Sequence, residues 1–181
     1  TGRHWYSEWL LYTRNFSEAL REISKAVELD PVSPGILKDK GIHFYYTRQY
    51  DEAIDIAMKT IEIYPDFIAV YRLLSLSYLA KGMFDKAIAE NLRWGKLTGN
   101  KVQTDLALAY IYASSGRKGD AKRLMMKVDE SLLGGNDFRG MALVYTALGE
   151  NDQAFEWLEK SYDRHEESLC SIKVDPKLDS L

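Results

Sequence analysis

One period runs through the chain. Ala19, Ala53, Ala87 and Ala121 follow one another at intervals of 34 residues, and Ala154 follows after 33. The same spacing carries a series of small residues, Ser7, Gly41, Ser75, Ala109 and Ala142. It also carries an aromatic series, Phe44, Tyr78, Tyr112 and Tyr145, with Leu10 at the matching first position. A fourth series, Arg14, Arg48, Gly82, Gly116 and Gly149, marks a turn. Four registers in step on one interval identify a repeated supersecondary unit. Such a unit cannot bury its apolar side alone and does so by stacking on its neighbours.

Each unit reads as two amphipathic helices. The pairs are expected near 1–13 and 16–29, 34–47 and 50–63, 67–80 and 84–97, 101–114 and 117–131, and 135–147 and 151–164. Small residues such as Gly41 and Ala53 let two helix axes approach closely, and the aromatic register fills the space beside that contact. Glycine in the turn relieves positive-φ strain. Asp30-Pro31 and Tyr64-Pro65 end the second helices of the first two units, since proline cannot continue a helix. The fold expected is all-α, with five helix-turn-helix repeats at about 1–33, 34–67, 68–101, 102–134 and 135–164. Residues 165–181 are expected to add a short capping helix and tail, with Leu169, Ile172 and Val174 folding back before Pro176 ends the helix.

The small–aromatic–turn–alanine–proline pattern is most complete as Gly41, Phe44, Tyr50, Ala53, Ala57 and Pro65. It resembles the tetratricopeptide repeat (TPR) over about residues 1–164. That resemblance implies a right-handed α-α superhelix, a solenoid whose first helices line a concave surface used for protein binding rather than catalysis. Three features depart from the pattern. Lys40 stands where the other repeats carry Leu74, Leu108 or Met141; Lys118 and Asn151 replace the aromatic of Phe16, Tyr50 and Phe84; and Gly99 rather than proline ends the third repeat. These departures predict looser packing in repeats four and five. The run from Ala142 to Glu150, with Ala154 to Lys160, is similar to the last repeat of a group of bacterial multidomain signalling proteins. In that group the repeats accompany winged-helix transcription regulators, adenylate cyclase domains or serine/threonine kinase domains. The similarity implies a cytoplasmic regulatory domain, cut from a longer bacterial signalling or transcription-regulating chain.

No catalytic constellation stands out. His165-Glu166-Glu167 begins like a zinc-protease helix, but Leu169 occupies the place of the second histidine, so a solvated helix end is expected. Gly134-Gly135-Asn136 lacks the Lys-Ser/Thr continuation of a phosphate loop and reads as a turn between repeats. His4, His43 and His165 share no ligand spacing, so no metal or other cofactor is expected. Cys170 reads as a small buried hydrophobe. With a formal net charge of −3 and both signs mixed along the length, the chain offers no basic stripe to nucleic acid. No apolar run approaches the ~20 residues of a membrane span.

The concave face that the resemblance implies offers stripes at i, i+4 and i+7 on each first helix. Glu8 and Tyr12 belong to the first repeat; Lys38, Ile42, Tyr45 and Tyr46 to the second; Arg72 and Leu76 to the third; Tyr110 to the fourth; and Arg139 to the fifth. Glu8, Ile42 and Leu76 stand where asparagines would serve a carboxylate clamp, which disfavours chaperone-tail binding. A peptide segment or partner domain with apolar anchors fits better. A small molecule in an aromatic cavity around Tyr45, Tyr46 and Tyr110 is the alternative. Trp5, Trp9 and Tyr12 lack visible cover at the front of the array, which predicts an upstream element or a homodimer through that end face.

Overall fold

The computed structural model describes residues 2–181, and no strand occurs among them. Ten α-helices succeed one another there: α1 (Gly2–Tyr12), α2 (Phe16–Leu29), α3 (Pro34–Tyr46), α4 (Tyr50–Ile63), α5 (Ala69–Ala80), α6 (Phe84–Thr98), α7 (Lys101–Ser114), α8 (Lys118–Met125), α9 (Asp137–Leu148) and α10 (Asn151–Asp163). The chain divides into two compact units, Thr1–Glu90 and Asn91–Leu181. In the first, α1 packs on α2, α3 on α4, and each pair on the next through α2 against α3 and α4 against α5. In the second, α7 packs on α8, α9 on α10, and α7 on α9.

The four registers acquire physical roles. Ala19, Ala53, Ala87, Ala121 and Ala154 are all 0% exposed, so a longer side chain at any of them meets the facing helix. The small-residue series is buried from end to end. At Gly41 a Cβ would fall within the envelope of Leu73 Cδ2 and 2.9 Å from Ile56 Cγ2, so α3 sits too close to its neighbours for any side chain there. The turn series is left-handed at every member: φ is +66° at Arg14 and Arg48, +71° at Gly82, +82° at Gly116 and +81° at Gly149. The first two repeats therefore hold arginine in a conformation that glycine adopts without strain.

Local capping sets the helix starts. Asn100 Oδ1 accepts from Gln103 N at 3.0 Å, and Ser33 precedes Pro34 at the first position of α3. Lys118, anomalous in the aromatic register, sends its Nζ 2.8 Å to the Leu148 carbonyl and so satisfies an orphan at the end of α9.

Several expectations are corrected. Helix α8 stops at Met125 rather than near 131, because Asp129 starts a new element: its carboxylate accepts from Ser131 N at 2.9 Å and opens a 3-10 turn, Glu130–Leu132. The short cap expected after α10 is present, in 3-10 rather than α geometry. It folds back as two 3-10 turns, Glu167–Ser171 and Pro176–Leu178, with Val174 and Leu178 buried. Cys170 is exposed, not buried. Nor is repeat five loosely packed: Phe138, Met141, Ala142, Trp157 and Leu158 form a core with Leu106 and Leu133, which Leu169 and Ile172 help to cover.

Candidate functional site

In the first unit α3 lies against both α1 and α5, which brings the first helices of three repeats side by side. Their corresponding positions fall into rows. Tyr12 and Tyr46, one repeat apart, meet edge to face with ring centroids 6.3 Å apart. Glu8, Ile42 and Leu76 form a second row, and all three are half-buried. Lys38 and Arg72 form a third, half-buried and exposed respectively. The face is thus an apolar and aromatic strip bordered by cations, partly open to solvent.

Tyr45 does not belong to it. Only 2% of its surface is exposed, and its ring packs against Tyr46 (5.4 Å) and Tyr50 (5.8 Å). Its place on α3 turns it into the helix pair, so it contributes to the core rather than to a wall.

At the α1 end of this strip the sequence reading missed a polar cluster. His4 Nε2 lies 2.7 Å from Asp39 Oδ2 and 4.0 Å from Glu8 Oε1, and the Lys38 ammonium pairs with the other oxygen of Asp39. Burial first, and then the Asp39 carboxylate, push the Glu8 pKa up from its ordinary value. Beneath the cluster His43 is 1% exposed and donates from Nδ1 to the Asp39 carbonyl at 2.7 Å. Burial pushes its pKa down, against the raising effect of hydrogen bonds to the Asp39 and Ser7 backbone. The missed signal was the spacing itself: His4 and Glu8 are one helical turn apart, and a 34-residue period sets position 38 or 39 beside position 4.

The second unit treats the same register differently. Tyr110 on α7 remains half-buried, packed beside the buried Ala109 and Ala113. Arg139, the fifth-repeat counterpart of Lys38 and Arg72, is only 8% exposed and pairs with Asp175, which is 1% exposed. Burial alone would raise the Asp175 pKa, but Lys177 and Arg139 outweigh it and hold the carboxyl below its usual range. Arg139 is therefore a tail-anchoring residue here, not an open wall. Glu166, read as part of a solvated helix end, is 7% exposed and accepts from the backbone N–H groups of Phe138 (3.1 Å) and Arg139 (2.9 Å). The Ser161 hydroxyl donates to it as well, so Glu166 caps the start of α9 from a distant point in sequence.

Comparison with known proteins agrees with the repeat pattern. A family model described as tetratricopeptide repeat matches residues 140–169. No curated protein matches the chain. Among solved structures it is similar to a thermophilic TPR protein of Thermus thermophilus, with a TM-score of 0.71 and 16% identity over 98% of this chain and 97% of that one. It is also similar to PilF of Pseudomonas aeruginosa, with a TM-score of 0.58 and 15% identity over 94% of this chain and 78% of that one. YrrB, described as a TPR protein with an unusual peptide-binding site, gives 0.54 and 20% identity over 94% and 89%. At these identities the likeness establishes the fold: an all-helical arrangement shared with TPR proteins. Together with the family match it supports a TPR repeat domain, and hence a protein-interaction module in general terms.

Proposed function

We propose that the α1–α3–α5 face binds a peptide segment or partner domain through apolar anchors, and that this chain is the regulatory portion of a larger bacterial signalling or transcription-regulating protein. The observation that carries the binding reading is the row Ile42–Leu76, with Tyr12 and Tyr46 alongside: half-buried apolar and aromatic side chains in line across three repeats. Contiguous apolar surface of this kind on a water-exposed face is where partners dock. Arg72 and Lys38, the latter paired with Asp39, border it. The small-molecule alternative has no comparable support, since Tyr45 is committed to the core.

The test is selection of binders from a phage-displayed random peptide library on the intact chain. The proposal expects enriched peptides with aliphatic or aromatic anchors that lose binding to Ile42→Asp and Leu76→Asp but keep it with Met126→Asp, an exposed control. Peptides indifferent to the first two substitutions, or no enrichment, would refute it. The regulatory assignment rests on the sequence similarity of the last repeat, and the reading frame around the chain decides it. Trp5 and Trp9, 69% and 57% exposed on α1, are the proposed contact for self-association. Sedimentation should then show a concentration-dependent dimer that Trp9→Glu abolishes, and a monomer at all concentrations would exclude it.

A further inference from the structure

Among the described residues, His4, Glu8 and Asp39 form a group whose ligand atoms all lie within 4.8 Å of one another. We propose that these three side chains bind a single Zn2+ ion. The cluster is assembled by two different constraints. One turn of α1 places His4 and Glu8 on one side of the helix. The contact of α1 with α3 then brings in Asp39 from the next repeat.

The donor set suits zinc. Imidazole nitrogen with two carboxylate oxygens is an ordinary Zn2+ ligand combination, with bonds of about 2.0–2.2 Å and a tetrahedral ligand-to-ligand spacing of about 3.4 Å. The present spacings bracket that value, His4 to Asp39 at 2.7 Å and His4 to Glu8 at 4.0 Å. All three ligand atoms lie within 4.8 Å of one another, so side-chain rotation is the movement that closes the set around one ion. Side-chain exposures of 14% at His4, 26% at Glu8 and 12% at Asp39 shelter the site while leaving a way in. Lys38 does not block it, because its ammonium engages Oδ1 of Asp39 and leaves Oδ2 directed at His4. The two carboxylates and the Lys38 ammonium sum to one negative charge, which a divalent cation reverses. Three protein ligands leave a fourth position for water or for a donor from a bound molecule. Mg2+ and Ca2+ are poor candidates, since both favour all-oxygen shells.

The intact chain titrated with ZnCl2 by calorimetry, and separately with CoCl2 followed by visible absorption, tests the site. The proposal expects one equivalent of Zn2+ bound and Co2+ d–d bands of tetrahedral intensity. His4→Gln, Glu8→Gln and Asp39→Asn should each weaken binding by about tenfold or more, a free-energy change of about 1.4 kcal/mol. His165→Ala and Cys170→Ser should leave it unchanged, and MgCl2 and CaCl2 should not compete. Circular dichroism of each variant verifies folding, and Glu8→Gln decides the matter if either of the other two substitutions perturbs it. Absence of saturable Zn2+ binding, retention of full affinity in folded Glu8→Gln, or loss of it in His165→Ala or Cys170→Ser would overturn the assignment. Loss of Zn2+ binding in His4→Gln or Asp39→Asn with peptide selection unaffected would separate the two readings, since the peptide reading rests on Ile42, Leu76, Tyr12 and Tyr46.

Discussion

Lys38 and Arg139 occupy the same register of the repeat and meet opposite fates. On α3 the cation stays half-exposed beside an apolar strip, whereas on α9 it is 8% exposed and locked to Asp175. Leu143 contrasts with Ile42 and Leu76 in the same way: it is 7% exposed, while they are half-buried. The helices themselves do not explain the difference, since both are first helices of a pair. The returning chain does. Residues 166–178 supply Glu166 to the start of α9, Asp175 to Arg139, and Val174 and Leu178 to the interior. A register therefore defines which positions face away from the partner helix of a pair, and what lies over that face decides whether it becomes core or binding surface.

The largest effect that probes this contrast is expected from Asp175→Ala, which strands the Arg139 guanidinium in a buried site. Removing one partner of a buried pair typically costs about 3–5 kcal/mol, so urea unfolding should report a loss of that order. Lys38→Ala, in the equivalent register of the first unit, should change stability by less than about 1 kcal/mol. Similar losses from the two would erase the distinction between the faces.

Glu166→Ala comes next. It leaves two backbone N–H groups of α9 without their acceptor and should cost about 2 kcal/mol in the same assay. No loss would mean that water or Asn136 serves the helix end equally well.

Acid sharpens the same comparison. The Asp175 carboxyl is held below its usual range in the folded chain, so its contribution is fully present above the unfolded pKa of about 3.9 and is lost as pH falls through the lower folded value. The stability gap between the native chain and Asp175→Asn should be constant from neutrality to about pH 5 and close only in stronger acid. A gap that closes near pH 6 would assign it to a different group.

The smallest effects concern the turns. Arg48→Gly should stabilise by about 0.5 kcal/mol by relieving a left-handed arginine, and Gly149→Ala should destabilise by about 1 kcal/mol, both read from thermal melts. A loss in Arg48→Gly would show that its Nη1 bond to the Tyr46 carbonyl outweighs the strain.

Much of the fold was legible because a period reports on packing in every repeat at once. The alanine, small-residue and turn series each found a uniform structural role, down to the arginines standing in for glycine. The binding face was legible only in part. Tyr45 and Tyr46 are adjacent in sequence, and periodicity alone did not decide which of them turns into the helix pair. The tail was the least legible element. Arg139 and Asp175 are 36 residues apart, and Asp175 belongs to no repeating series, so nothing in the periodicity joins them. What was legible there was local: Leu169, Ile172 and Val174 ahead of Pro176 marked a segment that folds back, without naming the buried pair that holds it.

Hydrogen–deuterium exchange with and without a library-selected peptide tests the central claim most directly. The account predicts that peptide slows exchange in α1, α3 and α5 and leaves α9 and residues 166–178 unchanged, because the tail already covers the equivalent face there. Protection confined to α9, or displacement of residues 166–178 by the peptide, would contradict it.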